Sequence, residues 1–248
     1  MEPFVLIVIF ATFLLAGTVK GVIGLGLPTV SLAILTVALD LTQAMALLLV
    51  PSLLTNTWQA AVGGNFVSIL RRIWPFLLMA TLTVWIGAIA LTRVDLSFLS
   101  ALLGLLLVLY SLMNLAGFGF SVPVQHEAWM GAAMGTANGI LTGMTGSFVV
   151  PGVMFLQAIG MPRDALIQAM GILFTVSTIA LAIALGTNDL LSPRLGLLST
   201  VGIIPAFAGM IIGQRFRERL PEAMFRKVFF VALLALGVYI VGNVLRLL

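Results

Sequence analysis

Long apolar runs fill almost the whole chain, separated by single charges or short polar clusters. Charged residues divide it into apolar segments at 3–19, 21–39, 41–70, 73–92, 96–125, 128–162, 165–188, 195–214 and 228–245. A helix rises ~1.5 Å per residue and the hydrocarbon core of a bilayer is ~30 Å thick, so about 20 residues make one crossing. Segments 41–70 and 96–125 each predict one crossing plus a turn, marked by Gly63-Gly64-Asn65 and Gly117-Phe118-Gly119. Residues 3–39, which flank Lys20, and residues 128–162 predict something else. As straight helices each would exceed about 50 Å, too long for a single crossing. Each contains a glycine-rich polar stretch. The first is Gly17-Thr18-Val19-Lys20-Gly21-Val22-Ile23-Gly24-Leu25-Gly26-Leu27-Pro28. The second is Gly135-Thr136-Ala137-Asn138-Gly139-Ile140-Leu141-Thr142-Gly143-Met144-Thr145-Gly146, closing at Pro151. Such a stretch inside an apolar run predicts a helix that breaks and folds back within the membrane.

The doubling extends past the breaks. Leu41-Thr42-Gln43-Ala44 matches Pro162-Arg163-Asp164-Ala165 at the start of the next helix, and Gly64-Asn65 matches Thr187-Asn188 at its end. Gly87 with Arg93 matches Gly209 with Arg215, and Tyr110 with Asn114 matches Tyr239 with Asn243. The expected fold is an all-α integral membrane protein of two homologous halves, residues 1–116 and 128–248, joined by a loop at 117–127. Each half holds a Gly-broken segment plus three transmembrane helices, eight to ten membrane segments in all. A broken unit that contributes two crossings or none gives each half an odd number, so related halves would be inverted. One long tilted crossing per broken unit would instead give eight crossings and parallel halves. The inverted arrangement gathers Arg71, Arg72, Arg163, Arg215, Arg217, Arg219, Arg226 and Lys227 on one side and leaves Arg93, Arg194 and Arg246 on the other. The positive-inside rule favours that lopsided split, with Arg215–Arg219 cytoplasmic and both termini outside.

Composition removes the soluble alternative. Of 248 residues, 61% are hydrophobic and 8% charged, against roughly 25% charged in a soluble domain. Mean hydropathy is +1.23. The absence of cysteine excludes disulfides, iron–sulfur clusters and thiol catalysis. There is no His-Glu-x-x-His, no Walker A sequence and no pair of acids inside an apolar segment, so no catalytic residue, metal site or cofactor is expected. The net charge of +4 sits mainly in loops, where cations set topology and meet lipids rather than nucleic acid. Residues 1–19 lack the basic start of a signal peptide, having Glu2 instead, and are read as part of the mature fold. His126-Glu127 reads as a solvated loop pair.

The broken stretches are the candidate site. A helix interrupted in lipid frees N–H and C=O groups, and half-helix N-termini attract anions. Lys20 is the one cation deep in such a stretch, and the motif alignment places Asn138 opposite it in the second half. No carboxylate lies nearby in sequence. Candidate substrate ligands are Thr18, Lys20, Gly24, Gly26 and Thr29 in the first stretch. In the second they are Thr136, Asn138, Gly143, Thr145, Gly146 and Ser147. Gln43, Asn56, Gln59, Gln168, Thr175 and Ser177 are candidates for a lined pathway. Competing readings stay open: glycines that only let helices pack closely, polar residues that bond neighbouring helices, and a Lys20 that snorkels to an interface.

The stretch from Gly17 to Gly26, its second-half counterpart and the proline downstream of each resemble the TauE/SafE family of sulfite exporter-type permeases. Gly24-Leu25-Gly26-Leu27-Pro28 is less glycine-rich than the family pattern. The resemblance implies a bacterial cytoplasmic-membrane permease for sulfite, sulfonates or related organic anions, with seven or eight crossings. The expected function is a secondary transporter, an exporter by this resemblance, working by alternating access. Its partners would be a small anion, membrane lipids and a coupling proton or sodium ion. The substrate would sit at the broken helices near the membrane midplane. An anion channel, a non-transporting scaffold and an intramembrane enzyme are the alternatives.

Overall fold

The computed structural model describes residues 3–217 and 222–247. Glu2 and Arg219, which entered the reading of the N-terminus and of the cation split, lie outside them. The first half of the chain forms α1 (Pro3–Ile23), α2 (Leu27–Ala38), α3 (Leu41–Ala61), α4 (Phe66–Leu82), α5 (Val84–Arg93) and α6 (Leu96–Leu115). A short 3₁₀ turn, Val124–His126, leads into α7 (Glu127–Thr145), α8 (Gly152–Ala158), α9 (Arg163–Thr187), α10 (Pro193–Val201), α11 (Ile203–Arg217) and α12 (Glu222–Leu247).

Among the described residues, six helical stretches are long and apolar enough to cross a membrane. They are α1, the joined α4 and α5 (Phe66–Arg93), α6, α9, the joined α10 and α11 (Pro193–Arg217), and α12. The helices α3 and α7 have the length, at 21 and 19 residues, but not the hydropathy. Polar residues explain the difference: α3 carries Gln43, Thr55, Asn56 and Gln59, and α7 carries Thr136, Asn138 and four glycines. The fold is therefore all-α and multi-spanning, as the apolar runs predict.

The helices gather into two compact units that do not follow the order of the chain. Unit 1 comprises residues 1–51, 95–118 and 191–248; unit 2 comprises 52–94 and 119–190. In unit 1, α1 packs on α11, α2 packs back against α1, and α6 pairs with α12. In unit 2, α7 packs on α4 and α5, and α9 packs beside them. The division of α3 falls at Pro51, inside the helix.

Pro51 shows how the fold handles a missing donor. Proline has no N–H, so the carbonyl four residues back, at Leu47, loses its helical partner. The Ser199 hydroxyl, wholly buried, donates to the Leu47 carbonyl at 2.7 Å and accepts from the Val50 N–H at 3.0 Å. In unit 2, Glu127 is not the solvated residue the sequence suggests. It is buried at the start of α7 and takes a two-pronged bond from Arg72, Nε at 2.8 Å and Nη2 at 2.6 Å. Nη2 also donates to the Ile159 carbonyl at 2.7 Å. The arginine thus closes the α7 entry, and burial of the carboxylate is offset by its partner. Outside the spans, Asp95 caps α6 by accepting from the Ser97 N–H at 2.7 Å, and hydrogen bonds from Ser97 hold its carboxyl below the usual value.

Replacing Ser199 with alanine would leave the Leu47 carbonyl buried and unpaired, at a cost of about 1–3 kcal/mol. Thermal unfolding of Ser199→Ala in detergent should show a clear fall in Tm, and the Ser192→Ala change at the exposed start of α10 a smaller one.

Candidate functional site

Both breaks are present, and each is built on a close helix crossing. Gly21 of α1 lies against the Met210 carbonyl of α11, where an added Cβ would overlap that oxygen. In return, a Cβ on Gly213 would overlap the Thr18 carbonyl and come within 2.9 Å of the Gly21 Cα. The second break repeats this arrangement. Gly143 of α7 lies against the Val84 carbonyl of α5, and a Cβ on Gly87 would overlap the Ile140 carbonyl and come within 2.9 Å of the Gly143 Cα. Gly17 on Ala206, Gly135 on Phe76 and Gly139 on Ala80 extend the two crossings one turn at a time. The paired residues rise in number together, so α1 runs parallel to α11, and α7 runs parallel to α4 and α5.

These contacts correct the motif alignment. Gly21 and Gly143 hold equivalent places, as do Gly213 and Gly87. Lys20 therefore stands where Thr142 stands, not opposite Asn138. By the same contacts Gly87 answers Gly213 rather than Gly209, one turn away. Gly143, a candidate substrate ligand, lies within this packed crossing. The glycines that break the helices come three residues later. Gly24 has φ 78° and donates its N–H to the Lys20 carbonyl at 2.8 Å. Gly146 has φ 73° and donates to the Thr142 carbonyl at 2.7 Å. Both are left-handed helix ends, a conformation that glycine adopts without a Cβ penalty.

The breaks stand away from the middle of the neighbouring spans. Gly213, beside Gly21, lies four residues before the end of α11, so Gly24 comes level with the last turn, which bears Arg215 and Arg217. Gly146 likewise comes near the end of α5 at Arg93.

At the first break, Gly26 has φ 108° and opens α2, its carbonyl accepting from the Val30 N–H at 2.8 Å. No side chain caps α2, and Pro28 occupies its first turn. The leading N–H groups of a helix have no carbonyl within the helix to meet, which makes this end electropositive. Lys20 is 3% exposed in the last turn of α1, and Thr29 is buried in the first turn of α2. The Thr18 hydroxyl is turned back to the Leu14 carbonyl at 2.8 Å.

The second break closes on itself. The Thr142 hydroxyl donates to the Ser147 carbonyl at 3.0 Å, and the Thr145 hydroxyl donates to the Leu141 carbonyl at 2.7 Å while accepting from the Ser147 N–H at 3.2 Å. Asn138 Oδ1 accepts from the Gly152 N–H at 3.0 Å and so caps α8. Its Nδ2 is buried without a hydrogen-bond partner. The Thr136 hydroxyl returns to the Ala132 carbonyl at 2.9 Å. Much of the polar inventory read as ligands thus completes the backbone of the break itself.

The pathway candidates divide similarly. Asp40 caps the start of α3, its Oδ1 accepting from the Gln43 N–H at 2.8 Å and its Oδ2 accepting from the Gln43 amide. Gln59 donates to the Ile167 carbonyl at 2.7 Å and Gln168 to the Ala60 carbonyl at 2.8 Å, so the two tie α3 to α9. Thr175 bonds back to Gly171 at 2.7 Å. Asn56 and Ser177 are fully buried, and the Ser177 hydroxyl lacks a hydrogen-bond partner, as does that of Ser52, which the sequence reading missed. Ser52 follows Pro51 directly, and that kink was the available signal. Among the described residues, no group of His, Cys, Asp and Glu could hold a metal ion.

Multiple apolar spans, and two breaks lined with buried polar residues, define a multi-pass helical membrane protein of the transport class. The chain belongs to the sulfite exporter TauE/SafE family, whose model matches residues 9–240. Neither a curated protein nor a solved structure matches the chain. Membership makes it an anion-transport protein rather than an enzyme, and an integral protein of the bacterial inner-membrane type.

Gly21→Val and Gly143→Val should each drive a side chain into a facing carbonyl and cost at least the ~1–3 kcal/mol of an overpacked core. Gly186→Ala, with open space around it, should be near neutral. Thermal unfolding of the three purified variants checks the ordering.

Proposed function

We propose that the chain is a secondary transporter that holds a small anion at the break between α1 and α2. One observation carries the site: Lys20, buried at the end of α1, lies one turn before a glycine break that opens directly into the uncapped N-terminus of α2. A buried ammonium in a membrane protein marks a function by default, and its positive charge lies on the same break as an electropositive helix N-terminus, a combination that attracts an anion. Arg215 and Arg217, level with the break, would gather anions at its mouth. Sulfite, organosulfonates and small carboxylates fit this chemistry, and the family favours the sulfur oxyanions.

The halves at 1–116 and 128–248 would be inverted repeats. Support comes from α6 and α12, the last helices of each half, which run antiparallel. Tyr110 meets Phe230 with ring centroids at 5.3 Å, while Gly104 lies against Gly237 and Val241. Parallel halves would make these two helices run the same way. Inversion would put Arg71, Arg215 and Arg226 in the cytoplasm and both termini outside. Rocking between two such halves would alternate access to the site. With no Walker A sequence, the driving force would be a proton or sodium gradient, or the membrane potential, which favours anion exit from a cell negative inside.

In liposomes containing only this protein, sulfite flux should saturate, and Lys20→Met should weaken it by about tenfold or more, the ~1.4 kcal/mol scale of one charge-assisted contact. The variant's Tm should stay close to that of the parent. Undiminished saturable flux in Lys20→Met would remove Lys20 from the site, and linear, non-saturating flux would mean a channel.

A further inference from the structure

The antiparallel pair of α6 and α12 carries chemistry that the transport site does not use. Where α6 ends and α12 begins, a cavity of about 550 Å³ is lined by Asn114, Leu115, Ala223, Arg226, Lys227 and Phe230. The described lining holds two cations and no carboxylate. Behind it, Tyr110 is 1% exposed and packs edge-on against Phe230 at 5.3 Å. The Tyr110 hydroxyl is buried with no hydrogen-bond partner. Asn114 donates its Nδ2 to the Tyr110 carbonyl at 2.9 Å, which fixes its amide beside the cavity.

Depth and size identify the occupant. The apolar span of α6 stops at Leu115 and that of α12 starts at Ala223, so the cavity sits at the end of both spans, and the end of a span is where hydrocarbon gives way to headgroups. A water takes about 30 Å³ of liquid volume, so a small oxyanion would leave most of this space empty. A lining that combines Arg226 and Lys227 with Leu115 and Phe230 suits an anion that carries its own apolar tail. The other end of the same helix pair makes a contrast. Its cavity, about 260 Å³, has a described lining with Asp40 and several hydroxyls and no basic side chain.

We propose that the Arg226–Lys227 cavity binds the phosphate-ester headgroup of an anionic membrane lipid. The two cations pair with the phosphate, as basic pockets between transmembrane helices do elsewhere. Leu115 and Phe230 meet the start of the acyl chains. Inorganic phosphate shares the charge but not the tail, and it is the competing source.

The test uses the full chain, purified in neutral detergent, with native mass spectrometry to count bound lipid and thermal unfolding to read stabilisation. The probes are phosphatidylglycerol, phosphatidylcholine and inorganic phosphate. Phosphatidylglycerol should bind about tenfold more strongly than phosphatidylcholine and should raise Tm. Lys227→Gln and the double change Arg226→Gln/Lys227→Gln should lose that preference, whereas Lys227→Arg should keep it. Both side chains are exposed, and bound lipid is counted on folded protein only. Equal binding of the two lipids, an unchanged preference in both glutamine variants, or displacement of phosphatidylglycerol by equimolar inorganic phosphate would overturn the proposal. None of these readings depends on flux through the Lys20 site.

Discussion

Within lipid, apolar side chains gain little by exchanging acyl chains for one another, so helices associate through how closely their backbones approach. Gly21 on Met210 and Gly143 on Val84 are close backbone approaches beside the breaks, and their reciprocal partners are Gly213 and Gly87. Each crossing fixes the end of a broken helix three residues before its left-handed glycine. The position of Lys20, the start of α2 and the turn into α8 follow from those two contacts. A side chain at any of the four glycines would push the helices apart and carry the break with them.

The second constraint is polar. Every backbone group freed by a kink or break in the membrane must find a partner within the protein. Ser199 supplies one for the carbonyl that Pro51 abandons, and Asn138 supplies one for the start of α8. Thr142 and Thr145 close the second break. The first break lacks such a set of hydroxyls and has a lysine instead. The two breaks share a backbone geometry and differ in chemistry, which gives the proposed site its asymmetry.

Much of this was legible in the sequence. The apolar runs gave the class and the long helices, and the glycine stretches marked where two helices end. The alignment of those stretches was one helical turn out, because glycines recur every four residues and a motif match cannot tell one turn from the next. Only the carbonyl facing each glycine resolves it, and that carbonyl belongs to a helix distant in the chain. The same limit hid Glu127, whose partner Arg72 is 55 residues away. The resemblance built on Gly17 to Gly26 agrees with the family match over residues 9–240. Sequence shows that Thr136, Thr145 and Asn138 are polar but not that each also bonds a backbone atom of its own half.

The proposed mechanism rests on the two halves having opposite orientations, each crossing pairing one helix from each half. The chain has no cysteine, so single cysteines report without interference. Cysteines at positions 71 and 194, both exposed, can be labelled in intact cells with a membrane-impermeant maleimide, before and after permeabilisation. The account predicts that position 194 reacts from outside and position 71 only after permeabilisation. Reaction of both from the same side would contradict it.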